Sequence, residues 1–233
     1  SLIPWRGRCT RPEEPGEMRS LRRRIMAMAE SKNQPITYDP IMSHDVSKTV
    51  FEISQRFHCN WLVLEWSGRK RGTFTNHSPI GWLKSHLHCH LATFRDAGVR
   101  YIRKIIVLVH NDKNDKLVLE TADHLAGIYE ASVSLMSFIH TEASDEKKYY
   151  EQSFLKDLAE KQKRVTKSKV LSGNNEIKVI LEETCEFDLF ILGSSDHTFL
   201  NSIRGTYDDK LIAKASCSVL ALHSSGESNN SEE

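Results

Sequence analysis

From residue 102 onward the chain alternates without a break between short β-branched runs and longer segments of helical spacing, and few folds accept that pattern. IRKIIVLVH (102–110) carries apolar residues at consecutive positions, as a strand buried inside a parallel sheet must. Residues 113–130 place Leu117, Leu119, Ala122, Leu125, Ala126 and Tyr129 at helical spacing. SVSLMSFIH (132–140) predicts a second strand. Residues 144–163 predict a charged helix, with Asp145 and Glu146 at its positive end. VTKSKVLSG (165–173) predicts a third strand, and 174–188 a helix built on Ile177, Val179, Ile180 and Leu181. LFILGSS, DDKLIAKA and SVLALH then read as strand, helix and strand. Such alternation predicts an α/β fold: an open five-stranded parallel sheet, Rossmann-like, with helices on both faces. The polar run at 225–233 is expected to be a disordered tail.

The first hundred residues repeat part of this plan. MRSLRRRIMAMAESKNQ reads as a helix, and QPITYDPIMSHD as a strand that Pro40 bends or ends. DVSKTVFEISQRFHCN reads as a helix with Asp45 as its N-cap. WLVLEW is a strand, 67–79 a polar loop, GWLKSHL a short helix and HLATF a strand. SKTVFEISQRFHCNWLVLEWS matches NEIKVILEETCEFDLFILGSS in length and pattern, and SHLHCHLATF matches KASCSVLALH. The first copy lacks a counterpart of the strand and helix at 102–130. A tandem repeat with its first copy incomplete is therefore expected, with domains 1–100 and 101–224. Their last strands or helices are expected to pack together, because pairing the two open sheets removes exposed edges.

Charge is unevenly spread. Residues 1–100 hold 16 Lys and Arg against nine Asp and Glu, and the remainder holds 16 against 22. Arg19, Arg22, Arg23, Arg24, Arg69, Lys70 and Arg71 carry the basic excess, which reads as solvated helix face and loop. No zinc-finger spacing or RNA-binding motif accompanies it, so no specific nucleic acid is expected. The longest apolar runs, KIIVLV and LFIL, fall far short of the ~20 residues that a membrane helix needs. SLIPWRGRC shows neither an initiator Met nor a signal pattern, and reads as a start inside a longer chain or a processed one. Five widely spaced cysteines argue against a disulfide framework and for a reducing compartment.

Chemistry concentrates in ILGSSDHTFLNSIRGT (191–206), where glycines and hydroxyls follow an apolar strand. Glycines let backbone N–H groups approach phosphate oxygens, with a helix N-terminus behind them. Ser194, Ser195 and His197 do not form a hydrolase: the Gly-x-Ser-x-Gly elbow and an acidic partner are both missing. In SHLHCH (85–90), His88 and His90 share one strand face while Cys89 points away, so no metal site is assigned. Trp61, Trp66 and Trp82 read as core or interface residues.

The closing stretch DLFILGSSDHTFLNSIRGTYDDKLIAKASCSVLALH and the opening strand IRKIIVLV resemble the universal stress protein family. The likeness covers residues 101–223 well and 17–96 more loosely. HLATFRDAGVRYIRKIIVLVHN is similar to the tandem domains that form cytosolic tails of amino acid permeases and cation–proton antiporters. The resemblance implies a fold of the adenine nucleotide alpha hydrolase type. It also implies nucleotide-binding residues His110, Asn111, Gly193, Ser194, Ser195, Gly205 and Thr206. The family's loop is Gly, two residues, Gly, nine residues, Gly, then Ser or Thr. Asp196 stands here for the second glycine, and the next gap is eight residues. A family Asp at the end of the first strand is replaced by His110. The implied ligand is ATP, AMP or cyclic di-AMP, its identity left open, with neither catalytic residues nor metal. The implied role is a non-catalytic regulatory module on the cytoplasmic face of a membrane transporter. Its partners would be its own transmembrane domain or a second copy in a dimer. The alternative is a free-standing stress protein that binds ATP or AMP.

Overall fold

The structure, a computed structural model, describes residues 16–66, 79–194 and 207–225. The chain forms two compact units, Ser1–Glu52 and Ile53–Glu233. In the first, helix α1 (Gly16–Lys32) buries Met18 and Ala29, and the Tyr38 hydroxyl donates to the Met18 carbonyl at 3.5 Å. Helix α2 (Val46–Arg56) begins here behind Asp45, whose Oδ1 accepts from Lys48 N at 3.1 Å, the expected cap. The strand expected within 34–45 does not form: only Met42 makes a bridge. Pro35 and Pro40 each remove a backbone donor from that segment, and a ladder cannot run through both.

The second unit is one seven-stranded sheet in the order β1-β2-β7-β6-β3-β4-β5. The strands are β1 (Trp61–Glu65), β2 (His90–Arg95), β3 (Lys104–Leu108), β4 (Ser132–His140), β5 (Val165–Gly173), β6 (Leu189–Gly193) and β7 (Ser218–His223). Between them lie α3 (Pro79–His86), α4 (Asp115–Tyr129), α5 (Asp145–Lys161), α6 (Glu176–Glu183) and α7 (Tyr207–Lys214). Every neighbouring pair is parallel except β2–β7, which is antiparallel. The five parallel strands predicted from residue 102 onward are present. They share their sheet with β1 and β2, and the join is made by the final strands of the two halves, with Leu91 opposite His223 and Arg95 opposite Val219.

Successive residues of a strand face opposite sides of the sheet, so each apolar run feeds two cores. Ile105 and Val107 pack with Leu117, Val118, Ala122 and Leu155 from α4 and α5. Ile106, Leu108 and Phe190 pack with Ile180, Leu211 and Ile212 from α6 and α7. Helices thus cover both faces, as the continuous apolar runs require. Ser144 caps α5 by accepting from Lys147 N at 3.3 Å, and Asn175 caps α6 by accepting from Lys178 N at 3.1 Å.

Candidate functional site

Strand order fixes where a ligand could sit. From β3 the sheet grows through β4 and β5 on one side, and through β6 and β7 on the other. In open α/β sheets, the crevice at the carboxyl ends of two such central strands is the usual binding place. Here that crevice is bounded by residues 109–115 after β3, Ser194 after β6, Tyr207 and Asp208 opening α7, and Ser224 after β7.

Asn114 holds these ends together. Its side chain is buried, donates through Nδ2 to the Ser194 carbonyl at 3.2 Å, and accepts from Ser224 N at 3.0 Å and Ser224 Oγ at 2.9 Å. Gly193 makes this possible. A Cβ there would lie 2.9 Å from Asn114 Cβ. Packing against Asn114 is thus one reason for glycine at the end of β6. Gly193→Val should overpack this contact and cost about 1–3 kcal/mol in urea unfolding, with little change in m-value; unchanged stability would refute the packing assignment.

Asp115 fastens the turn after β3: its carboxylate accepts from His110 N at 3.1 Å and Asp112 N at 3.3 Å. Burial pushes its carboxyl above the ordinary aspartate range, against the pull of those backbone donors. Asn111 occupies the left-handed region at φ 57°, which Asn tolerates better than most residues. The exposed His110 meets the Tyr207 ring edge-on at 6.0 Å. Tyr207 donates to Glu176 Oε1 at 2.7 Å, and its burial holds the phenol protonated.

On the β6 side, the Ser194 hydroxyl donates to Asp208 Oδ2 at 2.9 Å and accepts from the Lys84 ammonium. Lys84 and Asp208 lie 3.9 Å apart, with side chains only 9% and 4% exposed. This buried ion pair joins α3 to α7. A hydroxyl and an ammonium beside the crevice are donors of the kind that suits an anionic, phosphate-bearing ligand.

Residues 102–223 match the Universal stress protein family. The chain belongs to that family. No curated protein matches it. Among solved structures, a putative universal stress protein from Pseudomonas aeruginosa UCBPP-PA14 is 13% identical with a TM-score of 0.63, covering 94% of this chain and 80% of that one. A universal stress protein from Archaeoglobus fulgidus DSM 4304 is 13% identical with a TM-score of 0.60, covering 90% and 78%. The cytoplasmic domain of a prokaryotic cation chloride cotransporter is 20% identical with a TM-score of 0.62, covering 90% and 82%. At these identities the likeness shows the fold alone.

Within this universal stress protein fold, His110, Asn111, Gly193 and Ser194 all gather at the crevice. Ser195, Gly205 and Thr206 lie outside the described residues. Lys84, Asn114, Asp115 and Asp208 were not anticipated from sequence. Asn114 and Asp115 carried a usable signal, two polar residues opening a helix directly after a buried strand. Lys84 carried none, since its partners lie more than a hundred residues away. Around SHLHCH, His90 accepts from Ser225 N at 3.1 Å and packs on Trp61, with ring centroids 5.0 Å apart. Among the described residues, no three His, Cys, Asp or Glu side chains are grouped to hold a metal ion. No helix of the described residues is long and apolar enough to cross a membrane.

Proposed function

We propose that this chain is a non-catalytic, ligand-sensing cytosolic module of a membrane transporter, and that an adenine nucleotide bound at the carboxyl ends of β3 and β6 is its signal. The observation that carries the reading is architectural. A cotransporter's cytoplasmic domain shares the fold across 90% of this chain, a wider span than the family match at 102–223. A single universal stress protein unit accounts for β3–β7 alone. The added strands join that unit through β2–β7, so ligand binding at one half can alter the placement of the other. Such coupling requires unequal ligand affinity for the two placements. The transporter class favoured by the junction sequence is an amino acid permease or a cation antiporter, with the module at the inner face of the membrane and acting as a dimer.

Calorimetric titration with ATP, AMP and cyclic di-AMP, magnesium present, tests the ligand. One of the three is expected to bind, and His110→Ala should weaken it by about tenfold if the imidazole contacts the base or ribose. No heat from any of them on a folded chain would overturn the nucleotide signal. The transporter assignment has a separate test. Several membrane-length apolar segments encoded ahead of residue 1 in the gene would support it, and a start codon there with none would overturn it. The second reading, a free-standing stress protein, draws on the Pseudomonas and Archaeoglobus likenesses and would be favoured by that second outcome.

A further inference from the structure

We propose that Lys84 is a phosphate-reading residue of the crevice, carried there by α3 and switched between two partners by the ligand. The proposal rests on the nucleotide reading above. Leu83 is fully buried and anchors α3, and the next residue sends its side chain to the end of β6. There the ammonium donates to Ser194 Oγ and faces Asp208 Oδ2 at 3.9 Å, while Ser194 Oγ donates to that same carboxylate oxygen at 2.9 Å.

Stability alone is a poor explanation for this arrangement. Burying both charges is costly, and a well-packed apolar pair would hold the two helices at least as well. The position suggests a use. An ammonium is a compact point charge suited to phosphate, and this one stands beside the first residue after β6, at the switch point of the sheet. Asp208 holds it aimed at the end of β6 when no ligand is bound. A phosphate arriving at Ser194 competes with Asp208 for the ammonium and is repelled by the carboxylate, so binding exchanges one anion for the other. α3 lies in the chain between β1 and β2, so the exchange links the end of β6 to the connection between those two strands. The ligand class is therefore a phosphate ester, and an uncharged nucleoside does not engage the switch.

The test compares AMP with adenosine by calorimetry on the full chain and on Lys84→Met, Lys84→Arg and Asp208→Asn. Lys84→Met is expected to weaken AMP about tenfold or more, the loss of one charge-assisted hydrogen bond, with adenosine unchanged. Lys84→Arg should retain most of the AMP affinity, and Asp208→Asn should tighten AMP by removing its competitor. A purely structural role would lower AMP and adenosine equally in Lys84→Met, and that result overturns the proposal, as does unchanged AMP affinity. If Lys84→Met does not fold, Asp208→Asn decides: tighter AMP supports the exchange and weaker AMP overturns it. Where ATP or cyclic di-AMP binds instead of AMP, it replaces AMP in this comparison; should the wild-type chain bind none of the three nor adenosine, the nucleotide reading fails, and inorganic pyrophosphate becomes the probe. Pyrophosphate binding that is lost in Lys84→Met sustains the phosphate assignment, and its absence from the wild type ends it.

Discussion

Asp208→Ala is expected to lower the free energy of unfolding by about 3–5 kcal/mol, among the largest effects of any single substitution in this chain. The reason is the charge left behind. Lys84 is 9% exposed at the side chain, and without Asp208 its ammonium stays largely shielded from water while losing the carboxylate it faces at 3.9 Å. Removing one partner of a buried pair is therefore far more harmful than removing both. The double substitution Lys84→Met with Asp208→Leu should recover most of the loss, because matched apolar groups often replace a buried pair without penalty. Urea unfolding of Lys84→Met, Asp208→Leu and the double variant closes the cycle. A double variant no better than Asp208→Ala would mean that packing around α7, rather than the stranded charge, sets the cost.

Phe190→Ala should cost a similar amount, about 3–5 kcal/mol, by a different route. Phe190 is wholly buried in β6, with Ile106 beside it on β3 and Val219 on β7. Its ring belongs to the core that Ile180 of α6 and Leu211 and Ile212 of α7 close from outside. Alanine leaves a cavity in the middle of a sheet face, where strands on both sides prevent collapse. Phe190→Leu should cost less than half as much, because most of the volume remains. A loss near zero for Phe190→Ala would show that α6 and α7 do not close over this face.

The central strands β3 and β6 were readable because they are buried on both faces and so carry consecutive apolar residues, IIVL and LFIL, whereas the edge strand β5 is mostly exposed and polar. The first hundred residues were harder. β1 reads WLVLE and alternates between exposed and half-buried positions, a weaker signal. In 34–45, Ile36 and Tyr38 suggested a strand while Pro35 and Pro40 denied it the hydrogen bonds, and the backbone chemistry prevailed. At the crevice, His110, Asn111, Gly193 and Ser194 were reached through the family resemblance, which puts its nucleotide residues around these strand ends, and Gly193 and Ser194 stood out besides as a glycine and a hydroxyl closing an apolar run. Lys84 and Asp208 were not, because a buried ion pair is formed by topology. In the sequence, Lys84 is one more lysine in a short helix and Asp208 one more acid at a helix start.

The antiparallel join between β2 and β7 also dictates the order in which the molecule can be completed. Leu91 and His223 are ladder partners about 130 residues apart in the chain, a separation that makes closure slow compared with the local β-α-β steps. During synthesis β2 leaves the ribosome long before β7 exists, with its ladder groups on the side away from β1 unmet. For that interval the nascent chain carries a sticky edge. Truncation ahead of Ser218 would make that condition permanent, so products lacking β7 should collect in inclusion bodies, whereas products ending after His223 should stay in solution.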